Sequence, residues 1–398
     1  MMAAEITYRL WLRPGRERSV ARRHPWVYSG AVERIEVRAG GPPGALGEIV
    51  DARGERLAVA TVNPDAPLVA RILRFDGGAV DAAHFTAALA RAGALRSAVV
   101  PDRTHAYRLV NSEGDGLPGL IVDRYGEFLV LQCLTAGMAY LEPLWLPALV
   151  AVASPRGVVE RSERATRDPD AARPDGVHWG EAPPARLEVE ERGHRFLVDL
   201  VGGQKTGFYL DQRENRRVIG ELAAGRRVLN AFAYTGAFGI YAGAGGAREV
   251  VDVETSAAAL DLGREAWALN DLSPSTRRAV HEPAQRFLRR EADPFGLIVL
   301  DPPPFARERR NVPRAARAYK DLNLWALRRL EPGGYLATFS CSQAVSPDLF
   351  QKIVFGAAVD AGVRLQWLAR LGAAADHPVH LDHPEGEYLK GLLLRSME

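Results

Sequence analysis

The sequence predicts an α/β protein in three parts: a small β-barrel, an α+β linking region, and a parallel, doubly wound sheet. Three observations carry this. Short apolar strands alternate with helical stretches from residue 186 onward, as βαβ units do. The first 75 residues hold β-like runs divided by Gly and Pro turns. Between them an Ala-rich helical stretch is followed by strand-like runs.

In residues 1–75 the runs Leu46–Asp51 and Leu57–Val62 are the clearest strands. The stretch from Arg9 to Arg23 adds Arg13, Arg16, Arg18 and Arg22, with Glu17 its only acid. That density suits RNA phosphates and equally suits a solvated face. In residues 76–185 the helix is expected over Val80–Ser97, with strands at Gly119–Asp123 and Phe128–Gln132. The polar, proline-containing segment Glu163–Pro184 reads as a surface loop. In residues 186–398 strands are expected at Arg227–Asn230, Glu249–Glu254, Gly296–Asp301 and Gly334–Phe339, with a helix over Ala257–Asn270.

Composition excludes several classes. No apolar run approaches the ~20 residues a membrane helix needs, and the first residues lack a signal-peptide pattern. Two cysteines build neither a disulfide framework nor a four-thiolate zinc site. A cytoplasmic protein with no membrane partner is expected. The net charge of +2 announces no polyanion binder. Lysine occurs only at 205, 320, 352 and 390, and all other cations are arginine, which fits a GC-rich genome and also phosphate recognition.

Ligands of open α/β sheets bind at the carboxyl ends of the strands, and three motifs fall there. Asn230-Ala-Phe-Ala-Tyr-Thr-Gly236 runs from a strand into a helix, and Gly236 admits close backbone approach. It lacks the G-x-G-x-x-G pattern of a pyrophosphate site, which argues against a nicotinamide dehydrogenase. Glu254 ends the next strand and can accept ribose hydroxyls. Asp301-Pro-Pro-Pro-Phe305 forms a stiff shelf: the acid can hydrogen-bond a planar nitrogen base, Pro302 and Pro303 restrict the backbone, and Phe305 can stack. Finally, Cys341 in Thr-Phe-Ser-Cys-Ser follows the strand after Gly334. A free cysteine is usually a small buried hydrophobe, the reading taken for Cys133. Asp376-His-Pro-Val-His-Leu-Asp-His383 has the look of a metal box, but Pro378 and Pro384 make it a loop, and no metal is expected.

The chain resembles bacterial S-adenosylmethionine-dependent 23S rRNA cytosine-C5 methyltransferases with an N-terminal PUA domain. The resemblance spans nearly the whole chain. It rests on His24–Ala31, Arg108–Arg124, Gly203–Arg216, the loop from Asn230, Asp301–Phe305, Ala318–Asn323 and Phe339–Ser342. It implies a PUA-like RNA-binding domain at 1–75, a linking domain at 76–185 and a Rossmann-like class I methyltransferase domain at 186–398 with an antiparallel C-terminal strand. By resemblance, Phe208, Asp211 and Arg213 cap the cofactor, while Asn230, Phe232, Tyr234, Thr235 and Gly236 wrap its methionine part. Glu254 takes the ribose, Asp301 faces the target base, and Cys341 is the nucleophile. The family's Asp-Ala-Phe at the third strand end is replaced by His-Glu-Pro-Ala-Gln, where Glu282 occupies the adenine position. Pro304 replaces a small polar residue. The implied partner is 23S rRNA or the assembling large subunit, with a homodimer left open. An N-methyltransferase acting on a purine amine could use Asp301–Phe305 without a thiol. A non-catalytic RNA-binding assembly factor would retain only the fold.

Overall fold

The computed structural model describes residues 4–397, except 39, 164, 167, 204 and 307. Gln204, inside the Gly203–Arg216 run, therefore lies outside the described residues. Contacts gather the chain into two units. One comprises 1–187, 199–208 and 375–387, and the other 188–198, 209–374 and 388–398.

The first unit holds two sheets. Six strands pair in the order Trp26–Tyr28, Leu68–Arg74, Arg56–Val62, Leu46–Val50, Ile6–Leu12, Val32–Val37. Leu10, Leu12, Val27, Ile49, Ala60 and Ile72 form their dry interior. The second sheet has five strands between Ala106 and Gly180. Its helix over Ala82–Val99 starts at Asp81, whose Oδ1 accepts the His84 amide at 2.9 Å, the expected use of an aspartate N-cap. The segment 163–184 is not wholly loop. Gly176–Gly180 is an edge strand paired with Gly157–Glu160. The flanking prolines stop short of it, and an edge strand needs only one side of its ladder paired.

The second unit carries the larger sheet. Its strands are β1 (Arg227–Ala231), β2 (Glu249–Glu254), β3 (Arg277–His281), β4 (Phe295–Leu300), β5 (Leu330–Ser340), β6 (Leu365–Leu371) and β7 (Lys390–Ser396). Their order is β3-β2-β1-β4-β5-β7-β6. The first five run parallel, and β7 lies antiparallel to β5 and β6. The helices are α1 (Arg213–Leu222), α2 (Ala237–Ala244), α3 (Ala257–Leu269), α4 (Ala284–Arg290), α5 (Val312–Leu327) and α6 (Pro347–Ala361). Leu229, Val251, Ile298 and Leu336 from the sheet meet Phe287, Tyr319 and Phe350 from the helices in one core. Strands buried on both faces read as continuous apolar runs, as Phe295–Leu300 does. The order of β1 places its carboxyl end where chain direction reverses across the sheet, which is where such folds bind ligands. Among the described residues no helix is long and apolar enough to cross a membrane.

Candidate active site

The loop after β1 is held in an uncommon shape. Phe232, Tyr234 and Gly236 have φ of 62°, 49° and 75°. For the two non-glycines the left-handed region costs about 1–3 kcal/mol each, so neighbours must fix them. They do: Ala233 N donates to Val253 O at 3.0 Å, and Tyr234 N to Glu254 Oε2 at 2.9 Å. Glu254 Oε1 takes the amides of Thr255 and Ser256 at 2.7 and 3.0 Å. The carboxylate at the end of β2 thus braces the loop, and Oε2 has one acceptor position beyond the Tyr234 bond.

Beneath the loop lies Asp252, which is fully buried. Its Oδ2 receives Arg277 Nε at 2.7 Å and its Oδ1 receives Asn230 Nδ2 at 2.8 Å. Burial pushes this carboxyl up despite the guanidinium, which pulls it down. Asn230, expected on the methionine part of the cofactor, donates its side-chain amide to Asp252. A Cβ at Gly236 would lie 3.0 Å from Asp252 Oδ2, and one at Gly239 2.5 Å from Oδ1. Both glycines are therefore required by the buried acid under the loop, a reason the sequence did not disclose. Thr235 Oγ1 is buried without a hydrogen-bond partner among the described residues.

A second arm comes from the segment before α1. Asp211 is buried; its Oδ2 accepts Tyr388 OH at 2.6 Å and its carbonyl accepts Ala374 N at 2.9 Å. Arg213, also buried, starts α1 with Nε 3.4 Å from Glu214 Oε1. Phe208 belongs to the first unit, where its amide donates to Tyr125 OH at 3.2 Å. Tyr209, which sequence reasoning passed over, stands at the centre of this arm. Its ring meets Tyr234 edge-on with centroids 5.4 Å apart. Burial raises its hydroxyl above the ordinary phenol range, and the charges of Asp301, Asp211 and Cys341 add to that. An aromatic between two site residues in Phe-Tyr-Leu-Asp was the one signal for it.

The third arm is the shelf. Asp301 to Phe305 follows β4, and Cys341 follows β5, whose register pairs Leu300 with Thr338. Neighbouring parallel strands thus release the acid and the thiol at one edge of the sheet. Cys341 Sγ is half-buried and 3.8 Å from Pro302 O. Its two flanking serines turn inward: Ser340 Oγ donates to Tyr319 OH at 3.0 Å, and Tyr319 OH also meets Ser342 Oγ at 2.9 Å. Ser342 Oγ accepts Ala306 N at 3.1 Å, which stitches the shelf to the cysteine loop. Pro303 and Pro304 are exposed. Phe305 packs on Tyr319 with centroids 4.6 Å apart, so that face of its ring is taken. Cys133 differs: it is fully buried, and burial pushes its thiol up to about 12.

Glu282 sits at the end of β3 with its carboxylate on Arg290 and, at 3.7 Å, Arg286. Those arginines hold it in the turn before α4. Asp376 and His377 are buried, and Asp376 Oδ2 accepts Arg108 N at 2.9 Å. Among the described residues no group of three His, Cys, Asp or Glu could hold a metal.

Comparison with known proteins decides the family. A family model described as S-adenosylmethionine-dependent methyltransferase matches residues 148–395. This chain belongs to the S-adenosylmethionine-dependent methyltransferase family. A second match, to a PUA-like domain, covers residues 10–75. The ribosomal RNA large subunit methyltransferase I of Cronobacter sakazakii is 43% identical over 398 residues, covering 98% of this chain and 100% of the relative. That of Salmonella typhi is 44% identical over 398 residues and 98% of each chain. Among solved structures, SMU.776, described as a methyltransferase complexed with S-adenosylhomocysteine, shares the fold with a TM-score of 0.84 at 21% identity. It covers 98% of this chain and 100% of its own.

The methyltransferase cofactor is S-adenosylmethionine. The residues present fit it: an unpartnered Thr235 hydroxyl under a braced loop, and an acid with a spare acceptor at the end of β2. Asp211 and Tyr209 stand on the segment that enters the same unit.

Proposed function

We propose that this methyltransferase modifies C5 of a cytosine in 23S rRNA, free or in the assembling large subunit, with Cys341 as the covalent nucleophile. Residues 1–75 would bind RNA, 76–185 link, and 186–398 carry the chemistry. The names of the relatives support an rRNA substrate. The observation that carries the C5 reading is the placement of a half-exposed thiol beside the Asp301 shelf, 3.8 Å from the Pro302 carbonyl. A methyltransferase acting on an exocyclic amine needs no thiol there.

S-adenosylmethionine, when bound, supplies the methyl group. Tyr234, Thr235 and Gly236 line its loop, Glu254 accepts ribose hydroxyls, and Asp211 and Tyr209 close the other side. Cytosine C5 is too weak a nucleophile alone. The Cys341 thiolate adds to C6, and the displaced π electrons make C5 enamine-like. Asp301 accepts a hydrogen bond from N4 and, when protonated, donates to N3, which neutralises charge building on the ring. After methylation a base takes the C5 proton, the C6–S bond breaks, and the thiolate returns with aromaticity restored. Pro302 and Pro303 stiffen the shelf that holds the flipped base.

In the first unit a concavity of about 750 Å³ is lined by Arg16, Arg18, Arg22, His24, Trp26 and Tyr28. Cations beside aromatic rings suit phosphates and unstacked bases, which favours an RNA-binding role for this domain in a cytoplasmic enzyme.

The test uses RNA containing 5-fluorocytidine. Fluorine at C5 blocks the final elimination, so a Cys341-linked complex should survive denaturation, and Cys341→Ala should abolish it. Full methylation by the Cys341→Ala enzyme, or a methyl group mapped to a purine amine, sinks this reading. Calorimetry with S-adenosylhomocysteine separates it from a non-catalytic assembly factor, which predicts no cofactor affinity.

A further inference from the structure

A thiol nucleophile must be ionised at neutral pH, and an ordinary cysteine is mostly not. Lys390 opens β7, where the antiparallel register sets it opposite Ser340. Its side chain is only 7% exposed, and its Nζ donates to the carbonyl of Ser342 at 2.9 Å. Ser340 and Ser342 flank Cys341. A long side chain has been laid under the cysteine loop, with its ammonium fixed to the residue next to the nucleophile. Burying an ammonium is costly unless polar or anionic groups answer it, so its presence there calls for a function.

Among the described residues, further groups near the thiol come from three other elements. Asp301 arrives from the end of β4, Tyr209 from the segment before α1, and Tyr319 from α5; both phenols feel the charge of Cys341. Asp301, when ionised, opposes thiolate formation. The phenols, whose hydroxyls burial raises, bring no charge near neutral pH. Of these groups Lys390 is the one that favours the negative thiolate.

We propose that Lys390 is the positioning residue that keeps Cys341 ionised and aims its loop at the target base. The proposal rests on Cys341 being the nucleophile, but its test does not require methyl transfer. The alkylation rate of Cys341 by iodoacetamide is followed against pH in the full-length protein, with peptide masses separating it from Cys133. In Lys390→Met the midpoint should rise by about one unit, which is about tenfold less thiolate at pH 7. Lys390→Arg should restore the midpoint, because charge rather than shape sets it. An unmoved midpoint in folded Lys390→Met protein overturns the proposal. If that variant does not fold, the wild type decides. A cation beside the thiolate should make the ratio of iodoacetate to iodoacetamide rates exceed that of free cysteine, and an equal or lower ratio overturns the proposal. Undiminished methylation by Cys341→Ala would instead remove the parent reading.

Discussion

Arg216 and Glu191 form a two-pronged ion pair, Nε to Oε1 at 2.8 Å and Nη2 to Oε2 at 2.6 Å, with both side chains shut off from water. The remaining guanidinium nitrogen, Nη1, donates to the carbonyl of Tyr209 at 2.9 Å. Tyr241 OH adds a bond of 3.1 Å to Glu191 Oε1. The pair therefore anchors the Tyr209 backbone from below, and the position of the aromatic beside Cys341 and Asp301 depends on a carboxylate 18 residues earlier in the chain.

Breaking this pair should cost far more than replacing it. Glu191→Ala leaves a buried guanidinium without its counter-charge, which costs about 3–5 kcal/mol. Urea denaturation should show a correspondingly lower midpoint for the second unit. The Arg216→Leu/Glu191→Leu double variant should recover most of that stability, because no charge is stranded. It should still bind S-adenosylhomocysteine more weakly than wild type in calorimetry, since the Tyr209 carbonyl has lost its donor.

The two glycines of the cofactor loop should fail differently. Gly236→Ala forces an L-residue into a left-handed conformation at a cost of about 1–2 kcal/mol, and crowds Asp252 mildly. Gly239→Ala has no positive φ to resist, but its Cβ falls 2.5 Å from Asp252 Oδ1. The acid is pinned by Arg277 and Asn230, so overpacking of about 1–3 kcal/mol is expected. Thermal unfolding should show both losses. Asp252→Asn combined with Gly239→Ala should not rescue stability, since the amide keeps the same bulk and leaves the buried Arg277 without its counter-charge.

Much of this was legible beforehand because it is local. Apolar runs bounded by Gly and Pro mark β1, β2, β4 and β5, and the strand ends after them mark where chemistry collects. The first long helix starts at Ala82 rather than at the expected Val80 because Asp81 caps it, and Ser256 Oγ caps α3 by accepting the Ala259 amide at 3.3 Å. What escaped was partnership at long range. Asn230 is expected on the cofactor, and the parallel register also sets it beside Asp252. Glu282 is expected at the adenine, and its carboxylate is also met by Arg290 and Arg286. Lys390 carries no signal of its own in the sequence, and only the β5–β7 pairing brings it to Ser340. Hydrophobic period specifies which face a residue takes, but carries no information about which distant charge it meets.

The two thiols should separate cleanly by pH. Burial pushes Cys133 up to about 12 from its usual value near 9, so it stays protonated in the native fold. At pH 8, Ellman's reagent should count one thiol in native protein and two in denaturant. The sign for stability follows from the raised value. The contribution of Cys133 is fully present below the unfolded value near 9 and is lost as pH rises toward the folded one. Cys133→Ala should therefore flatten the loss of stability above pH 9, measured by urea midpoints across the alkaline range.

Tyr209 offers the sharpest division between shape and chemistry in the active site. Its ring packs edge-on against Tyr234, and its hydroxyl is kept neutral by burial near Asp301, Asp211 and Cys341. If the ring alone matters, by walling the pocket and steadying the strained Tyr234, then Tyr209→Phe should keep both S-adenosylhomocysteine affinity and turnover within about threefold. If the neutral hydroxyl serves Asp301 or the target base, kcat should fall by about tenfold or more, as loss of one directed hydrogen bond in a transition state does, while KM for the cofactor holds. The crowding of three acidic groups around a phenol that cannot ionise favours the second outcome, since a neutral donor there offsets repulsion that ionisation would worsen. Tyr209→Ala should lower both parameters, because Tyr234 would lose the neighbour that holds its ring. Steady-state kinetics of the three proteins with varied cofactor at saturating RNA measures the split.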